Sequence, residues 1–376
     1  MNVAILANDR PSYYKPMADA LVRMLSSLGV SASVFYEGTS VLNTPYPGTR
    51  FMAGVWARRV LNTIGKQYYV PPITTIDRLA KKLREYDAVF VVGHMPTTFA
   101  KAHYTGVELL RKHLRVPIIN YDLCFLANHR VWLKWLTTDP QYGGFTGLGR
   151  FDYYAVVSDT TEEALPSEVA FPMVRIGGHF RAKNLYPEQD QFVALVDFAR
   201  DSHSAERDLQ IRALEETNTP YQVLRGTYSA EAIRGVYRKS AIYFLAHRES
   251  FGLPIVELQQ CGCQIFTPYR RWAPAHYRNK SPYESGEGEL GSNFKVYRNE
   301  FTTLKEMIEK AKAGFNPKQV VANFRSEYPD FDLGNTAALA TVIAKLKEGA
   351  IHQNSHQEYR RLDRVMLTDP ADNHQP

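Results

Sequence analysis

The sequence predicts an α/β protein built from two doubly wound parallel sheets, each in its own domain. Three observations point there. Short apolar runs of strand length alternate with helical patterns, and the series occurs twice. A length of 376 residues with 44% hydrophobic content is enough to bury two cores. No stretch approaches the about 18 uninterrupted apolar residues that span a bilayer.

The first series opens with Val3 to Ala7, an apolar run of strand length. Lys15 to Leu28 has helical periodicity and stops at Gly29, a residue that suits the left-handed cap. Ser31 to Tyr36 alternates as a second strand, and further strands are predicted at Ala88 to Val92, Val116 to Asn120 and Tyr154 to Val157. A loop-like stretch from Arg175 to Pro187 marks the domain seam. Phe192 to Val196 then begins the second series. Helices at Ala205 to Glu216 and Ala230 to Arg238 flank a strand at Tyr221 to Leu224. A late helix is predicted over Asn335 to Gly349. The boundaries expected are 1–180, 181–348 and a polar tail at 349–376.

The most informative segment lies between Phe244 and Phe266. Ala241 to Ala246 is almost wholly apolar, as in a strand buried on both faces, and His247 to Gly252 breaks the pattern with charge, hydroxyl and glycine. Pro254 falls where a helix's first turn tolerates it, and Ile255 to Cys261 resumes as a helix. Glu249 and Glu257 bracket this bend. Loops and helix starts at the carboxyl ends of parallel strands bind ligands because outward N–H groups there lack partners. An anion satisfies those groups. Glu249 can accept from sugar hydroxyls and Glu257 from a ribose diol. Both carboxylates would also simply favour a helix's N-terminal half.

The string Arg248-Glu249-Ser250-Phe251-Gly252-Leu253-Pro254, then Glu257 and Cys261-Gly262-Cys263-Gln264-Ile265, resembles the E-x7-E signature of retaining glycosyltransferases of family four. That family usually reads E-G-F-G-L-P-x-x-E-A-x-A-x-G-x-P-V. Ser250 and Gln264 depart from it without removing a donor-binding side chain. The resemblance implies the GT-B fold, two Rossmann-like domains with parallel sheets facing across a cleft. It implies transfer of a sugar from a nucleotide-sugar donor to a saccharide or lipid-linked saccharide, with retained configuration and no cofactor. It also implies that N–H groups around Phe251, Gly252 and Leu253, with Ser250, face the phosphate or sugar, and that Gly226 ends a strand near the donor's base.

The chain departs from the family in two places. Asn8 to Tyr14 replaces a glycine-rich first loop, and the basic pair that neutralises the diphosphate is not intact; Arg200 and Arg207 are the candidates for that role. His94 and Asp122 each follow an expected strand and are candidate catalytic groups at the cleft edge. No metal is expected, because arginine and N–H groups can neutralise a diphosphate.

Three cysteines make neither a disulfide framework nor a four-ligand zinc site. Met1 to Asp9 lacks a basic leader, so a cytoplasmic protein is expected. Residues 1–186 carry 21 basic against 14 acidic residues, and the remainder 24 against 25. Phe51 to Leu61 mixes large apolar groups with arginine, so peripheral contact with the inner membrane face is a further expectation. A nucleic-acid-modifying GT-B enzyme and a non-catalytic sugar-binding protein are the alternatives, although no nucleic-acid module is recognisable.

Overall fold

The computed structural model describes residues 1–7, 14–36, 49–65, 76–93, 107, 110–125, 151–159, 173–199, 203–245, 249, 251–269, 275–278, 289–298 and 300–353. The chain divides into two compact units, Met1–Gly178 with Asn335–Pro376, and His179–Gly334. Each has one sheet.

In the first unit the strands are β1 (Asn2–Leu6), β2 (Ser31–Phe35), β3 (Ala88–Gly93), β4 (Ile118–Phe125), β5 (Tyr153–Asp159) and β6 (Met173–Arg175). They are all parallel and ordered β2-β1-β3-β4-β5-β6. The helices described are α1 (Tyr14–Ser27), α2 (Thr49–Thr63) and α3 (Ile76–Leu83). Val3 to Leu6 and Ala88 to Val92 are buried throughout, as a sheet covered on both faces demands. α3 turns Ile76, Leu79, Ala80 and Leu83 onto the core that holds Val89, Val91, Ile118 and Val156. Inside this unit Arg111 and Asp152 form a buried ion pair at 2.8 Å, and the second carboxylate oxygen of Asp152 accepts from the N–H of Ile118. The two charges are therefore matched where water cannot reach them.

The second unit contains β7 (Ala194–Val196), β8 (Tyr221–Val223), β9 (Ile242–Phe244), β10 (Gln264–Pro268) and β11 (Phe294–Tyr297), again all parallel, in the order β11-β10-β9-β7-β8. Its helices are α4 (Ser204–Glu216), α5 (Ala230–Lys239), α6 (Leu253–Gln260), α7 (Phe301–Ala313), α8 (Pro317–Glu327) and the single turn α9 (Pro329–Asp332). α5 starts at Ser229, whose hydroxyl accepts from the N–H of Ala232, an N-cap of the expected kind. Phe244, Phe266 and Tyr297 pack edge-on and tilted across the sheet against Leu304 and Ile308 of α7.

Two expectations change. β4 runs to Phe125 rather than stopping at Asn120, because β3 and β5 pair with it on both sides as far as Asp122, aligned with Gly93 and with Val156, and β5 alone continues the ladder to Phe125. The last helix, α10 (Thr336–Lys347), was expected in the second domain and belongs to the first unit. Its apolar residues Leu339, Val342 and Ile343 are buried, and it packs beside α1. Asn335 donates its N–H to the carbonyl of Ile176, and further on the Gln353 amide donates to the carbonyls of Arg111 and Leu114. Most of the tail, from residue 354, lies outside the described residues.

Candidate functional site

In an open parallel sheet, ligands gather beyond the carboxyl ends of the strands where the winding direction reverses. The second sheet reverses at β7, with β8 on one side and β9 on the other. Three connections leave this edge, after Val196, Val223 and Phe244. They are stitched together as they leave. The N–H of Asp197 donates to the carbonyl of Phe244 at 3.2 Å, and that of Leu224 to Val196 at 2.9 Å.

Glu249, half-buried, and Phe251 lie in the third connection, which feeds α6. Gly252 is the N-cap of that helix and sits in the left-handed region, φ 63°. A Cβ there would come within 2.7 Å of the Glu249 Cγ and 2.8 Å of the Ile255 Cδ1. Only glycine meets both demands, the turn and the close approach of Glu249. The first helical bonds run from the N–H groups of Ile255 and Val256 to the carbonyl of Gly252, so those of Gly252 and Leu253 lie ahead of the ladder.

Glu257, about one turn into α6, is buried and bonded to Arg234 of α5. The guanidinium donates from Nε at 3.1 Å and Nη2 at 2.5 Å, both to Oε1, which leaves acceptor capacity at Oε2. Sequence reasoning missed Arg234, since nothing 23 residues upstream of Glu257 marks a partner; only the packing of α5 on α6 brings the two together.

The Phe251 ring does not face a ligand. It is fully buried, stacked on His276 at 5.5 Å and 17° and edge-on to Phe331 at 4.9 Å. What this residue can offer a ligand is therefore its backbone. His276 is the second group that sequence reasoning missed. Its Nε2 donates to the Phe251 carbonyl, which fixes the neutral Nε2–H tautomer, and its Nδ1 is buried with no partner among the described residues. Burial pushes its pKa down to about 4. No hydrophobic period surrounds His276 in the sequence, so no signal pointed to it.

Arg207, in the first turn of α4 after β7, is half-buried, and its Nε is buried with no partner among the described residues. Gly226, exposed and at φ 69°, follows β8. Asp122 belongs to the other unit; it stands inside β4 and is fully buried, not at a strand end as expected, because the strand continues past it. His94, Ser250 and Arg200 lie outside the described residues.

One Asp-x-Asp pair is present, Asp330-Phe331-Asp332, the sequence type that often carries a metal. Its setting is structural. Asp332 is buried and takes both Nε (2.9 Å) and Nη2 of Arg181, while Phe331 fills the aromatic cluster between Phe251 and Tyr328. Among the described residues no group of three or more His, Cys, Asp or Glu could hold a metal ion.

No family model matches the sequence, and no curated protein is significantly similar to it. Solved structures are similar in fold. One is the Anabaena protein HepE in complex with UDP, at 13% identity and a TM-score of 0.50, covering 92% of this chain and 99% of that one. Another is an alpha-glucosyltransferase in complex with UDP-glucose and DNA containing an abasic site, at 11% identity and a TM-score of 0.51, covering 92% and 98%. With all-parallel sheets in both units, the architecture is that of GT-B, two Rossmann-like α/β domains.

Proposed function

We propose that this protein is a retaining glycosyltransferase that moves a sugar from a nucleotide-sugar donor to a saccharide or lipid-linked saccharide. The observation that carries the reading is the Glu249–Gly252–Glu257 bend, a carboxylate, a left-handed glycine and a second carboxylate at the reversal point of the second sheet. The presence of UDP with HepE and of UDP-glucose with the alpha-glucosyltransferase makes a uridine diphosphate sugar the first donor to test.

In this reading Glu257 accepts from the ribose diol while Arg234 holds its other oxygen in place. Glu249 accepts from hydroxyls of the transferred sugar. The N–H groups of Gly252 and Leu253, with Arg207, stabilise the diphosphate as it leaves, so a metal ion is not required. The acceptor oxygen bonds to the anomeric carbon on the face from which the phosphate oxygen departs. That phosphate oxygen takes the acceptor's proton, and no protein base is needed.

The test is donor binding followed by turnover. A UDP-sugar should raise the melting temperature, since a ligand bound only to the native state stabilises it. Glu257→Ala should weaken nucleotide affinity by about tenfold, the effect of one lost charge-assisted hydrogen bond. Glu249→Ala should lower turnover, including slow donor hydrolysis, with little change in affinity. Unchanged affinity and rate in both variants would sink the site. Rates insensitive to a chelator are expected. A nucleic-acid acceptor is the second reading, prompted by the DNA bound to the alpha-glucosyltransferase; transfer to duplex DNA in preference to saccharides would favour it.

A further inference from the structure

Helix α2 presents an apolar stripe to solvent. Trp56 and Val60 stand four residues apart on one face of α2, Ile64 follows at the same spacing in the turn just past its last residue, and the three are 59%, 58% and 67% exposed. These are three of the six large hydrophobic residues exposed among those described, and the other three are scattered singly. Around them Ala53, Ala57, Arg58 and Arg59 are exposed as well, and among the helix side chains described Leu61 is half-buried. A helix that folded for its own packing would hide that stripe.

The charges beside the stripe choose the occupant. No acidic residue stands between Glu37 and Asp77, whereas Arg50, Arg58, Arg59 and Lys66 do. The guanidinium of Arg59 lies 5.8 Å from the Trp56 ring centre. An indole carrying a cation on its face is suited to a boundary where one side is apolar and the other anionic and wet. A second copy of this chain would bring its own arginines against these, with no acid on the helix to pair them.

We propose that α2 lies in the surface of a bilayer containing anionic lipids, with Trp56, Val60 and Ile64 in the acyl boundary and Arg58 and Arg59 at the headgroups. The helix is too short and too charged to cross, and no helix among the described residues is long and apolar enough to do so. Binding of this kind is the sum of a modest buried apolar area and a field that acts on each cation. Neither alone holds the protein. The proposal stands whether or not the protein transfers sugars, and its test uses no nucleotide.

The full-length protein is mixed with vesicles of phosphatidylcholine alone and with vesicles in which about a third of the lipid is phosphatidylglycerol, then sedimented. The expected result is binding to the anionic vesicles, little to the neutral ones, and release at high salt. Arg58→Glu with Arg59→Glu should lower the partition coefficient on the order of tenfold or more. Trp56→Ser with Ile64→Ser should do the same even at low salt. All four side chains are exposed, so both variants should keep the parent's circular dichroism and melting temperature. The proposal is overturned if anionic vesicles bind no better than neutral ones, or if both variants bind like the parent. It is also overturned if the parent forms a concentration-dependent dimer that the Trp56 and Ile64 variant abolishes, since a second copy would then own the face.

Discussion

Gly252 concentrates the local demands of the site. Its φ of 63° is costly for any residue with a Cβ, by about 1–2 kcal/mol, and the space a methyl would need is taken by Glu249 and Ile255. Gly252→Ala is therefore expected to lower stability by about that amount in urea unfolding, and to slow turnover further by displacing Glu249. A variant with unchanged stability and rate would show that the bend tolerates another conformation. His276 makes a separate prediction about pH. Folded, it stays neutral down to about pH 4; unfolded, it titrates near the ordinary histidine value of 6.5. Below that value the unfolded chain binds a proton that the native one refuses, so stability falls as pH drops from about 6.5 toward 4. The loss is about 3 kcal/mol in all. His276→Asn should flatten this part of the stability profile, and an unaltered acid limb would contradict the neutral buried imidazole.

Elements carry information that single residues do not. β4 is longer than its apolar pattern because β3 and β5 both pair with it as far as Asp122 and β5 carries the ladder on through Cys124 to Phe125. The register of a central strand is set by its neighbours, so a charged residue need not end it. α6 was legible in advance, since a proline at its start and a glycine before it are punctuation that the chain must obey. The role of α5 was not legible. Its sequence predicts a helix over Ala230 to Arg238, but nothing in that pattern says that Arg234 will meet Glu257.

At the scale of the whole molecule, the C-terminal helix completes the first unit. Leu339, Val342 and Ile343 of α10 are buried there. Ile343→Ala should cost about 2–5 kcal/mol. Native-state hydrogen exchange would locate the loss: it is expected in β1 and α1 and not in the second sheet. Loss of protection confined to β7 through β11 would place the helix with the other unit.

What the sequence determined by itself was the class and the punctuation: two series of parallel strands, the helix starts, and a bend between Glu249 and Glu257 that resembles a donor-binding signature. These are local facts, written in period, proline and glycine. What only the tertiary structure decided was partnership. The Arg234–Glu257 bond, the seat of His276 under Phe251, the commitment of Asp332 to Arg181 and the return of α10 to the first unit all join residues far apart in the chain. Hydrophobic burial is non-directional, so it fixes which faces are hidden without naming the neighbours that hide them.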